Sequence, residues 1–118
     1  MDIPDLTGPF KLTASNVTIN IRRGTVGAYV LGPLQFDGRL TVRLTGRSES
    51  DMAADLRGLM EKYEAFGYVR AESAEAALAL ECRLYHHFEP ADNAVHPARS
   101  GDPGCNGWIC PVCGEAKS

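Results

Sequence analysis

Val17, Ile19 and Ile21 alternate with polar residues, a period of two that predicts a half-buried strand. Gly24 punctuates it, and Val26 to Leu31 predicts a second strand. Gly32-Pro33 opens a loop, and Asp37-Gly38 is a turn signal. Leu40, Val42 and Leu44 alternate again and predict a third strand, ended by Gly46. The period then changes. Met52, Leu56, Leu59, Met60 and Tyr63 fall at helical spacing behind Ser50 or Asp51 as N-cap, with Gly58 as a weak point. Gly67 stops this helix, and Tyr68 to Ala71 predicts a short strand. Ser73 caps the strongest helix, with Glu75 in its first turn, where a negative charge suits the helix dipole; Pro90 ends it. From Ala91 onward periodicity fades among Pro and Gly, yet Trp108, Ile109 and three cysteines suit a segment pinned to the rest.

These elements predict an α+β fold with a small antiparallel sheet flanked by helices. A length of 118 residues bounds the chain to one domain. About 1–24 forms an N-terminal extension with an extra strand, and about 91–118 forms a tail. No stretch approaches the roughly 20 apolar residues of a membrane span, so no membrane partner is expected. The opening Met1-Asp2-Ile3-Pro4-Asp5 lacks the basic and apolar regions of a signal peptide, which makes the cytoplasm the expected compartment. There, four cysteines read as metal ligands rather than disulfides. The net charge of −3 disfavours strong non-specific binding to nucleic acid, which rests on Lys and Arg neutralising phosphates.

Candidate chemistry concentrates in the last third. At about 100° per residue, Ala77, Leu80, Leu84 and Phe88 share one face of the capped helix, and Glu81 falls within that apolar arc. A carboxylate there is costly unless it is paired or binds a cation. The reading is therefore either a rim residue or a salt bridge to an arginine, or else a metal ligand or acid/base group in a cleft. Cys82 and His86, four residues apart, share a different face, turned about 100° from Glu81.

Zinc prefers four tetrahedral sulfur and nitrogen ligands. Cys110-Pro111-Val112-Cys113 forms a tight knuckle that supplies two, and Cys82 with His86 completes the preferred structural site. A local set competes with it: His96, Cys105, Cys110 and Cys113. Cys82 also reads as a small buried hydrophobe. A redox reading of the Cys-x-x-Cys would need a βαβ context that the chain does not present.

The order of these features resembles the GIY-YIG nuclease superfamily from about Gly27 to Gly114, most of the chain. Gly27-Ala28-Tyr29 stands at the first motif and Leu44-Thr45-Gly46, followed by Arg47-Ser48, at the second. Ser73 to Phe88 is similar to the glutamate-bearing helix, and Asn93 with His96-Pro97 to the asparagine segment after it. The ending, Gly107 to Cys113, is similar to a bacterial and phage subgroup with a C-terminal cysteine knuckle. The resemblance implies a three-stranded antiparallel sheet flanked by helices, and metal-dependent hydrolysis of a DNA phosphodiester. It implies Glu81 as ligand of a Mg²⁺ or Mn²⁺ ion, Tyr29 as base and Asn93 as a supporting hydrogen-bond group.

The chain departs from the pattern at two positions. Leu44 stands where the second motif carries a tyrosine, and Asp55 where the first helix carries an arginine. Arg47, just after the second motif, is the candidate replacement; Arg57 lies about 200° around the helix from Asp55. Losing the charge donor costs about 10² to 10³ in rate, and losing a proton-transfer group about 10² to 10⁴. The expectation is a nuclease-like domain with weak or lost activity, or an inactive zinc-stabilised module that binds nucleic acid or a protein partner.

Overall fold

A computed structural model describes residues 6–88 and 90–92. The chain runs β1 (Thr7–Lys11), α1 (Ala14–Asn20), β2 (Gly27–Gly32), β3 (Leu44–Ser48), α2 (Met52–Arg57), β4 (Ala65–Arg70) and α3 (Ala74–Phe88). The fold is α+β, as expected, but the sheet has four strands rather than three. They lie in the order β1-β4-β2-β3, and every pairing is antiparallel.

β2 is the centre of the design. All six of its residues are buried, because helices cover both faces of the sheet. Tyr29 and Leu31 face a cluster with Phe66 and Tyr68 of β4, Val17 and Ile21 around α1, and Met52, Ala53 and Leu56 of α2. Ala28 and Val30 face the other way, onto Leu84, with Leu80 and Phe88 of α3 packed alongside. Period-two alternation thus survives in β2 while both of its sides are dry.

Several elements differ from the sequence expectation. Val17 to Asn20 is helical, with Ile21 as the C-cap, not a strand. Val17 and Ile21 are also four apart, so both enter the core from one helix face while Ile19 stays 78% exposed. The Thr13 hydroxyl accepts the Asn16 N–H and caps this helix. The extra N-terminal strand exists, but at Thr7–Lys11, where it pairs with β4.

β3 begins at Leu44 and runs through Gly46. Leu40 and Val42 precede the strand and pack on the α3-side cluster. α2 stops at Arg57 with Gly58 as C-cap, and Leu59, Met60 and Tyr63 reach the core from the turns that follow. Asp51 holds the expected N-cap position. β4 starts before Gly67 and includes it. The Ser73 hydroxyl caps α3 by accepting the Ala76 N–H.

Candidate functional site

Tyr29, Gly46, Arg47, Glu49 and Glu81 line one solvent-open cleft of about 440 Å³ at the β3 edge of the sheet. Three separate stretches of chain meet there, and each contribution has a local cause. Arg47 pairs in register with Ala28 and so stands on the sheet face that α3 covers. Glu81 lies one turn from the buried Ala77 and Leu84 on α3 and is 7% exposed. Tyr29 belongs to the opposite face. Its register partner on β3 is Gly46, and the outer end of its ring lies across that glycine. A methyl group at residue 46 would stand 2.7 Å from the ring carbons Cε1 and Cζ and 2.8 Å from the hydroxyl. The missing side chain is what lets Tyr29 reach past the edge strand into the cleft.

Glu49 follows β3 in a tight turn. The buried Ser48 hydroxyl accepts the Asp51 N–H at 3.0 Å and turns the chain toward α2. Arg47 bridges both acids. Its Nη1 donates to Glu81 Oε1 at 2.6 Å and its Nε donates to Glu49 Oε2 at 2.8 Å. The side chains of Arg47 and Glu81 are only 14% and 9% exposed, so this pair is largely withdrawn from water.

The electrostatics follow from that burial. Loss of hydration pushes the Glu81 carboxyl above its ordinary value, and nearby Glu49 adds to the effect; the hydrogen bond and charge of Arg47 oppose it. Burial alone would lower the Arg47 guanidinium, but its bonds to Glu81 and Glu49 more than offset this and hold it charged. Tyr29 is pushed up to about 12, first by burial and then by the negative charges of Asp55 and Glu81. Tyr29 is therefore a phenol at neutral pH: it can donate a hydrogen bond, but it is no standing base. Arg57 donates to the Thr18 hydroxyl of α1 at 2.8 Å, away from the cleft.

Tyr29, Arg47 and Glu81, picked out from the sequence, thus converge. Asn93, the fourth, lies outside the described residues, as do His96, Cys105, Cys110 and Cys113. Of the sulfur and nitrogen candidates, Cys82 is fully buried and His86 half-buried on α3. Among the described residues, no group of three or more His, Cys, Asp or Glu side chains could hold a metal ion. Sequence reasoning missed Glu49 and the role of Gly46. The signal available for Glu49 was the opposite charge two residues after Arg47.

Neither a family model, a curated protein nor a solved structure matches this chain.

Proposed function

We propose that this domain is a GIY-YIG-like nuclease-type module whose edge-strand cleft acts slowly on a phosphodiester of nucleic acid, DNA first. The observation that carries the reading is the convergence of Tyr29, Arg47 and Glu81 on one open cleft, from two adjacent strands and the helix beside them. The open cleft matters because a buried Glu–Arg pair in a closed interior would be structural only.

The oxygen donors suit a hard divalent cation such as Mg²⁺ or Mn²⁺, which uses one or two protein carboxylates and keeps water or substrate oxygens for the rest. Glu81 would hold it, with Glu49 as the neighbouring carboxylate. When bound, such an ion polarises a phosphoryl oxygen and steadies the leaving oxygen. The Tyr29 hydroxyl, protonated at neutral pH, would orient the attacking water or a phosphate oxygen by hydrogen bonding. Arg47 would stabilise the negative charge that builds on the phosphate, in place of the helix arginine. Asn93 would supply a supporting hydrogen bond.

The same residues explain why activity would be slow. Arg47 is engaged by two carboxylates, and Asp55 puts negative charge near Tyr29. These features favour the second reading, an inactive module that binds nucleic acid or a protein partner. Plasmid nicking in Mg²⁺ or Mn²⁺ separates the two. Nicking that Glu81→Gln abolishes supports hydrolysis, and no nicking by the unaltered protein supports the binding module.

We further propose a structural zinc clamp formed by Cys82, His86, Cys110 and Cys113, with His96 and Cys105 as the alternative ligands beside the knuckle. Its support is the buried stripe on α3, where Leu78 and Cys82 are buried apart from the sheet-facing Ala77 and Leu84. Zinc analysis of purified protein, repeated on Cys82→Ala and Cys105→Ala, tests it: one zinc per chain lost only in Cys82→Ala selects the clamp.

A further inference from the structure

We infer that Arg47 is a built-in counter-ion that a divalent cation displaces from Glu81, and that the released guanidinium then engages the substrate phosphate. Cation and nucleic-acid binding would consequently be cooperative. This deepens the hydrolytic reading of the cleft and rests on it for the identity of the phosphate ligand.

The charge balance comes first. Among the described residues, the cleft is lined by one cation, Arg47, and two anions, Glu49 and Glu81. It carries a surplus of negative charge and, as it stands, repels a phosphodiester. Its guanidinium is also occupied. A dication reverses the sign of the surplus and replaces Arg47 as the neutralising partner of Glu81. The cleft then accepts an anion for the first time.

Geometry supplies the route. Arg47 holds its two carboxylates through different nitrogens, Nη1 to Glu81 and Nε to Glu49. Exchange at the Nη1 bond to Glu81 does not require the Nε bond to Glu49 to break, and that bond holds the guanidinium toward the cleft mouth. The Glu49 side chain is 28% exposed against 9% for Glu81, so the retained bond is the wetter one and the displaced bond the drier one. A buried carboxylate must stay neutralised throughout, because an unpaired buried charge costs several kcal/mol. Exchange of one cation for another meets that demand, whereas simple departure of Arg47 does not. Glu49 is thus a positioning residue, acting through Arg47.

Reciprocity makes the inference testable without turnover, since two coupled ligands must strengthen each other equally. Mn²⁺ binding is measured by electron paramagnetic resonance on full-length unaltered protein, Arg47→Gln and Arg47→Lys. Binding of a fluorescent DNA oligonucleotide is measured by anisotropy with and without Ca²⁺. Arg47→Gln is expected to bind Mn²⁺ on the order of tenfold tighter than the unaltered protein, with Arg47→Lys between them. Ca²⁺ is expected to tighten oligonucleotide binding severalfold in the unaltered protein and by clearly less in Arg47→Gln, which keeps the charge reversal but lacks the released guanidinium. Should Arg47→Gln fail to fold, judged by its melting curve, tighter Mn²⁺ binding by Arg47→Lys carries the test.

Equal or weaker Mn²⁺ binding by the folded variants overturns the inference. So does an absence of Mn²⁺ binding in all three proteins, or oligonucleotide binding indifferent to Ca²⁺. Tighter Mn²⁺ binding and Ca²⁺-coupled DNA binding in a protein that never nicks a plasmid would sustain the displacement and remove only the hydrolytic reading.

Discussion

The outer edge of the Tyr29 ring fills the space where a side chain at Gly46, its register partner across the β2–β3 ladder, would stand. Any side chain at 46 would meet that ring at less than van der Waals distance, and Tyr29 is only 8% exposed, with little room to swing away. Gly46→Ala is therefore expected to lower stability by about 1–3 kcal/mol, the usual cost of overpacking, as read from urea denaturation midpoints. Tyr29→Leu should remove most of that penalty when combined with Gly46→Ala. A double-mutant cycle that shows no coupling between the two positions would contradict the contact.

Gly46 also marks where the sequence was legible and where it was not. Read alone, a glycine after an alternating run ends a strand. Here it sits mid-strand, because a neighbouring strand's aromatic ring needs the space, and that requirement is invisible without the register. The same limit explains α1. Val17 and Ile21 fit a period of two and a spacing of four equally well, and only the cap at Thr13, with its bond to Asn16, decides for the helix. By contrast, β2 and α3 were readable because burial on both sheet faces and a strong cap leave one solution each. Glu81 was legible as a buried acid because its neighbours fix the helix face. Its partner was not, since Arg47 lies 34 residues away and meets it only through the fold.

The Arg47–Glu81 pair predicts an asymmetry between its two members. Arg47→Met leaves the Glu81 carboxylate buried beside a second acid, and a loss of about 3 kcal/mol is expected. Glu81→Gln removes the costly charge while Arg47 keeps Glu49, so it should be far milder. The pH dependence has a definite sign. The folded Glu81 carboxyl lies above its ordinary value of 4.5, so the associated stability is complete below that pH and is lost as pH rises through the folded value. Glu81→Gln should therefore gain on the unaltered protein as pH is raised from 4 to 7. Denaturation curves at several pH values check this; a constant difference would refute it.

Tyr29 offers a spectroscopic check on the cleft's charge. Burial, Asp55 and Glu81 together push its hydroxyl up to about 12. In an ultraviolet titration of tyrosine ionisation, Tyr29→Phe should lose a late component. Asp55→Asn should bring that component to lower pH, because Asp55 is the largest charge acting on it. Any rise of activity with pH below about 10, the ordinary tyrosine range, then belongs to a group other than Tyr29. If Tyr29→Phe removes an early component instead, the ring is not enclosed by the cleft as described.

Asp92 ties together three segments that are remote in sequence. Its carboxylate accepts from Arg43 Nη2 at 3.0 Å and from the Tyr63 hydroxyl at 2.9 Å, and its own N–H donates to the Arg43 carbonyl at 2.8 Å. The chain leaving α3 is thereby fixed to the approach of β3 and to the turn before β4, next to the position where Asn93 follows. The hydrogen bonds from Arg43 and then Tyr63 hold the Asp92 carboxyl below its ordinary value of 3.8. A lowered carboxyl contributes stability above its unfolded value and loses it as pH falls through the folded one. Asp92→Ala should accordingly destabilise at neutral pH and cease to matter in acid, a trend opposite to that of Glu81→Gln. Both bonds are solvent-accessible, so salt should weaken the effect. Denaturation midpoints for Asp92→Ala that stay displaced at low pH, or that ignore salt, would show that the Asp92 side chain does not act through its charge.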